Sequence, residues 1–163
     1  MTNTGALKLE TPGDREVVMT RAFDAPRDLV WEALTSPELL KRWFVGPPGW
    51  SLAVCEVTLQ VGGAYRYVWL GPNGSRMGMG GDYSEIRAPE RIVATERFDE
   101  TWYPGDSVNT LVLTERDGKT TLTQTVTYES EQARDAVLQT GMEGGVATMY
   151  DRLAEMLAAG AGL

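Results

Sequence analysis

RAFDAPRDLVWEALTSPELLKRW, residues 21–43, is the stretch from which the fold is read. Pro26 and Pro37 each stand where a helix can begin, because a proline in the first turn gives up an N–H that has no intrahelical acceptor. Asp24 is placed to cap a helix that starts near Pro26, with Val30, Trp31 and Leu34 on one face. Thr35 or Ser36 stops that helix and caps a second one, whose apolar stripe is Leu39, Leu40 and Trp43. Just upstream, Glu16 to Phe23 alternates as a strand, with Val17, Met19, Arg21 and Phe23 on one side.

Downstream the period is two for most of the chain. Strands are expected over Ser51–Gln60 (Cys55, Val57 and Leu59 sharing a side), Ala64–Leu70, Arg76–Arg87, Arg91–Phe98, Ser107–Arg116 and Lys119–Tyr128. GPPGW (46–50), Val61-Gly62-Gly63, Gly71-Pro72-Asn73-Gly74, Ala88-Pro89-Glu90, Pro104-Gly105 and Asp117-Gly118 separate or join them as turns. Gly78, Gly80 and Gly81 suggest a bend or bulge in one strand. From Leu122 to Tyr128 an apolar face alternates with a row of threonines, which predicts a sheet covered on one side and therefore antiparallel. Ser130 caps a final helical region. Met142, Val146, Met149, Leu153 and Met156 form the stripe of its long part. Gly141, Gly144 and Gly145 mark either a break between a short and a long helix or a helix kept thin where it crosses the sheet. Residues 1–14 read as a flexible arm and 15–160 as one domain.

Composition narrows the functions. The 163 residues carry a net charge of -8, which disfavours nucleic acid and anionic membrane surfaces, both of which are recognised by clustered Lys and Arg. There is no histidine, so Ser-His-Asp and Cys-His relays and imidazole metal sites are excluded. The single cysteine, Cys55, reads as a small buried apolar residue. No metal or redox cofactor is expected. No signal peptide or membrane-spanning run is seen, which makes the cytoplasm the default location.

A strand, two helices, a meander of strands and a long last helix make up the helix-grip arrangement: α+β, with a curved antiparallel sheet of about seven strands around the C-terminal helix. The chain resembles the bacterial homologues of the C-terminal domain of the heat-shock-protein-ninety ATPase activator. These belong to the SRPBCC superfamily of START-related, birch-pollen-allergen-like and polyketide cyclase domains. The resemblance is carried by TRAFDAPRDLVWEALTSPELLKRW (20–43), VCEVTLQVGGAYRY (54–67), GDYSEIRAPERIV (81–93) and ARDAVLQTGMEGGVATMYDRLAEML (133–157). It implies an apolar cavity between helix and sheet. Its wall would draw on Trp43, Phe44, Tyr65, Tyr67, Trp69, Met77, Met79 and Tyr83, with Met142, Val146 and Met149 as lid over a helix thinned at Gly145. It also implies a chaperone as a possible kind of partner, beside a small hydrophobic molecule or a second copy of the chain.

The residues alone leave the aromatic and Met faces open between packing and ligand lining. Strand parity puts four polar residues on apolar faces: Arg21, Glu96, Asn109 and Gln124. They either satisfy one another or reach into a cavity to orient a ligand. Glu96 is the best candidate for a shifted carboxyl group, but no spacing demands catalysis and no catalytic residue is assigned. The leading expectation is a carrier or sensor for a small hydrophobic or aromatic ligand. The alternatives are a cyclase- or aromatase-type enzyme, marked by convergent Glu96, Tyr83 and Arg21, and a chaperone-interacting protein.

Overall fold

Eight strands hydrogen-bond into one antiparallel sheet, described here from a computed structural model that covers residues 6–100 and 105–160. In chain order the strands are β1 (Lys8–Glu10), β2 (Glu16–Phe23), β3 (Ser51–Val57), β4 (Ala64–Leu70), β5 (Arg76–Arg87), β6 (Arg91–Phe98), β7 (Ser107–Arg116) and β8 (Lys119–Thr127). The helices are α1 (Arg27–Thr35), α2 (Pro37–Trp43), α3 (Glu131–Leu138) and α4 (Met142–Ala158). The strand order is β1-β2-β8-β7-β6-β5-β4-β3, so the meander from β3 to β8 is closed by β2, and α1 and α2 bridge from β2 to the far edge.

Eight strands replace the expected seven because Leu9 pairs with Met19 and extends the sheet edge into the expected arm. Residues 1–5 of that arm, and Pro104 of the expected Pro104-Gly105 turn, lie outside the described residues. β3 stops at Val57 rather than Gln60. Gln60 N–H donates to the Thr58 carbonyl and Gly63 N–H to that of Gln60, which curls the chain out of the ladder. A register shift between Leu52 and Val54 also breaks the parity of β3. Leu52 and Cys55 therefore face the core, while Leu59 is exposed. The glycines of β5 do not bulge it: the pairing with β4 runs unbroken from Asp82 to Arg76, and the shift against β6 falls between Tyr83 and Glu85. They are there for close approach, since a Cβ at Gly81 would collide with the Thr95 carbonyl.

Local capping is replaced by tertiary contacts at the helix pair. Pro26, not Asp24, occupies the cap position of α1, and its carbonyl accepts from Leu29 and Val30. The Arg27 N–H is taken by the Glu115 carboxylate at 2.7 Å, so the hairpin end of β7 serves the helix start. Ser36 precedes Pro37 as expected, without a side-chain capping bond. Ser130 caps α3, its hydroxyl accepting from Ala133 N–H at 3.0 Å. The glycines after α3 mark a true break. Gly141 takes a left-handed conformation, φ 78°, between α3 and α4.

The core lies between the sheet and the helices. Trp43 is 2% exposed and its indole N–H donates to the Ala33 carbonyl at 2.9 Å, locking α2 onto α1. Trp31, by contrast, is only half-buried at the core margin, because Val30 and Ala33 take the inward face of α1. Phe23 meets Tyr150 edge-on at 6.0 Å, and Tyr150 lies 5.9 Å from the Trp43 ring. The C-terminal half of α4, with Leu153, Ala154, Met156 and Leu157, is buried against this cluster. In the N-terminal half Val146 and Met149 are half-buried. The helix is thus anchored at one end and spans open space at the other.

Candidate functional site

That open space is a cavity of about 810 Å³ between the first turns of α4, the sheet and the loop after α2. This volume is within the range of small-molecule sites. Its formation follows from local sequence. β4 presents Tyr65, Tyr67 and Trp69 in succession, and β5 presents Met77, Met79 and Tyr83. Opposite them, Gly141 and Gly145 offer no side chain; a Cβ at Gly145 would meet nothing within 4 Å. The rings pack as a connected wall rather than filling the space: Phe44 to Tyr67 at 5.4 Å and to Trp69 at 5.2 Å, Tyr65 to Tyr67 at 5.1 Å and to Tyr83 at 5.5 Å. The Trp69 indole donates to the Phe44 carbonyl at 2.9 Å and ties the wall to the end of α2.

Every candidate residue except Arg21 lies on this surface. Trp43, Phe44, Tyr65, Tyr67, Trp69, Met79 and Tyr83 form the aromatic and apolar wall. Met77, 37% exposed, sits towards solvent, and Met142, Gly145, Val146 and Met149 come from α4. Glu96, Asn109 and Gln124 complete the set on the sheet floor. Arg21 is not among the lining residues. It is 1% exposed and its guanidinium reaches away to Asp151 on α4 at 2.7 Å, so the expected convergence of Glu96, Tyr83 and Arg21 does not occur. β2 runs next to β8, and at the level of Arg21 the core is already closed by α4, which offers Asp151 there.

The three remaining polar residues form a line. Register sets Glu96 opposite Ser107, Asn109 opposite Ala94 and Val126, and Gln124 opposite Leu111, so successive members are diagonal neighbours across β6, β7 and β8. Tyr150 on α4 donates its hydroxyl to Gln124 Oε1 at 2.6 Å. Gln124 Nε2 donates to Asn109 Oδ1 at 3.3 Å, and Asn109 Nδ2 donates to Glu96 Oε2 at 3.1 Å. Ser107 Oγ reaches Glu96 Oε1 at 3.5 Å. Among the described residues no cation lies against Glu96, which is 9% exposed. Burial pushes its carboxyl above the ordinary glutamate value, with the Asn109 and Ser107 donors opposing. Tyr83 is pushed up to about 12 by burial, with Cys55 adding to it. Tyr67 is raised well above the ordinary value by burial first, then by Tyr83, Cys55 and Glu96. The Cys55 thiol is itself pushed up to about 11 by burial, against a weaker pull from Lys41, and stays protonated at neutral pH.

The raised Glu96 carries a stability consequence. The unfolded chain loses this proton at a lower pH than the folded one, so above the ordinary glutamate value the native state holds more protons. Stability from this group is greatest in acid and falls as pH rises through the folded-state value. Glu96→Gln is therefore expected to raise the melting temperature at neutral pH and to leave it nearly unchanged where the glutamate is protonated. Parallel melts of the two proteins across pH 4–8 check this. A Gln variant that is less stable at every pH would contradict it.

Trp50, Ile92, Leu111 and Tyr150 also line the cavity and are not among the residues expected there from the sequence. Ile92 and Leu111 share strand faces with Glu96 and Asn109, so parity could have named them. Tyr150 falls four residues after Val146 and fits the helical period equally well. Trp50 lies in a turn without periodicity, and only its packing on Gly71, where a Cβ would enter its ring, reveals its place. Among the described residues no three His, Cys, Asp or Glu side chains gather as metal ligands. Among those residues, too, no helix is long and apolar enough to cross a membrane.

The same architecture recurs among solved structures. A Rhodobacter sphaeroides protein is similar over 95% of this chain and 99% of its own at 33% identity, with a TM-score of 0.90. DynU16, a protein of the dynemicin biosynthetic locus, shares the fold at 21% identity and a TM-score of 0.69, over 91% of this chain and 49% of that one. A Plasmodium falciparum HSP90 activator shares it at 21% identity and a TM-score of 0.64, over 88% of this chain and 96% of that one. No curated protein matches the sequence. The family model for Activator of Hsp90 ATPase homolog 1-like proteins matches residues 24–158, from just before the helix pair to the last residue of α4. Since that span takes in the helix pair, the six strands β3 to β8 and the helix that roofs the cavity, the chain belongs to the Activator of Hsp90 ATPase homolog 1-like family.

Proposed function

We propose that the protein is a carrier or sensor that binds one small, largely apolar molecule in the cavity beneath α4. The observation that carries this reading is the cavity of about 810 Å³, walled by aromatic and Met side chains and crossed by a single polar line. Apolar walls supply affinity by burial, and a few placed polar groups supply orientation. A cyclase-type activity has weaker support. Glu96 and Tyr83 face the cavity but Arg21 does not, and the likeness to DynU16 is one of fold. A chaperone-directed role is supported by the family's description and by no surface feature argued above.

Saturable one-to-one binding of an apolar fluorescent probe is expected, together with a ligand carried through native mass spectrometry of protein purified from its own host. A bound molecule at ~100 times its dissociation constant stabilises by about 2.7 kcal/mol, enough to read in a thermal melt. Absence of probe binding and of any co-purified mass would remove this reading and favour the chaperone-directed one.

A further inference from the structure

Among the described residues that line the cavity, Glu96 is the one charged side chain; no Lys or Arg faces the space. Its carboxylate partners, Asn109 and Ser107, are neutral. The hydrogen-bond line is also directional. Tyr150, Gln124 and Asn109 each donate towards the next member, so the positive ends of a hydroxyl and two amides all point towards Glu96. Such a chain polarises cumulatively and favours negative charge at its end. A buried carboxylate prepared in this way still lacks a counter-charge, and none of the described residues provides one.

The aromatic wall complements a cation as well. Tyr67 and Tyr83 have no hydrogen-bond partner for their hydroxyls among the described residues, and Tyr67 is close enough to Tyr83 and Glu96 to be raised by both. Ring faces attract a cation, phenol oxygens accept from it, and an ammonium carries three donors to satisfy. An anionic ligand meets the opposite situation: a like charge and no cation. Resting on the reading of this cavity as a ligand site, we propose that its ligand is an apolar amine, whose protonated nitrogen is held by the Glu96 carboxylate beside Tyr67 and Tyr83. Fatty acids and other carboxylates are thereby selected against.

The test uses the full chain and three probes with one aromatic body: naphthalen-1-ylmethylamine, 1-naphthalenemethanol and 1-naphthoic acid, titrated calorimetrically at neutral pH. The amine is expected to bind about tenfold or more tighter than the alcohol, the acid weakest of the three. Glu96→Gln, which keeps the shape and can still accept from Asn109, should remove the preference for the amine over the alcohol. An amine no tighter than the alcohol in the unmodified protein overturns the proposal without recourse to the variant. So does an amine that fails to bind while an apolar fluorescent probe saturates, although the cavity then remains a ligand site. Failure of the probe and of all three compounds overturns both.

Discussion

Gly145→Leu is expected to abolish binding in the cavity while the domain stays folded. The Cβ position at Gly145 is free of atoms within 4 Å, and the residue lies on the cavity surface in the first turns of α4. Side chains on a helix lean back over the preceding turn, so a leucine here covers the roof around Gly141 and Met142. The substitution also exchanges glycine for a strong helix former, worth roughly 0.5–1 kcal/mol to the helix. A melting temperature equal to or above that of the unmodified protein is thus expected, with at least a tenfold loss of affinity for an apolar probe, or about 1.4 kcal/mol. Probe displacement and a thermal melt on the same sample check both. An early melt would mean that the space under α4 is needed by neighbouring side chains. Unchanged affinity would place the ligand elsewhere in the cavity.

Trp43→Ala is expected to show the converse pattern, with stability lost first. Trp43 is packed between Phe44 at 5.2 Å and Tyr150 at 5.9 Å and is almost fully buried. Removing a buried tryptophan typically costs about 3–5 kcal/mol. The Ala33 carbonyl would also lose its donor, adding on the order of 1 kcal/mol. For a domain of this size the melting temperature should fall by roughly 10 °C or more. A thermal melt followed by circular dichroism measures that fall, and urea unfolding measures the free-energy loss. A loss below ~1 kcal/mol would mean that the helix pair is held to α4 mainly by other contacts. Because Trp43 also lines the cavity, weaker probe binding in this variant follows from either cause, and only Gly145→Leu separates occupancy from folding.

Much of this site could be read before any tertiary structure was available. The period-two alternation placed Tyr65, Tyr67 and Trp69 on one face and Glu96, Asn109 and Gln124 on others, because side chains alternate strictly wherever the ladder is regular. Strand limits at Glu16–Phe23, Ala64–Leu70 and Arg91–Phe98 match those of the fold for the same reason. Where the ladder slips, the reading slips. The shift between Leu52 and Val54 brings Leu52 onto the core side with Cys55, against strict alternation, and no residue type there announces it.

Other features exist only because distant segments meet. Asp24 has the chemistry of a helix cap, but Glu115, 88 residues from Arg27, arrives first. Arg21 shares a strand face with Met19, yet its direction was decided by Asp151 on a helix 130 residues away. The order of Tyr150, Gln124, Asn109 and Glu96 as one donor line depends on the register of three strands and on how α4 lies across them. The sequence by itself determined the class of fold, the apolar face of nearly every strand and the absence of histidine chemistry, since these depend on local period and composition. The tertiary structure alone decided that the glycines at the start of α4 leave a space instead of a packed core, and that a lone carboxylate ends a polar line inside it. Volume and hydrogen-bond direction are properties of elements brought together, and no single segment contains them.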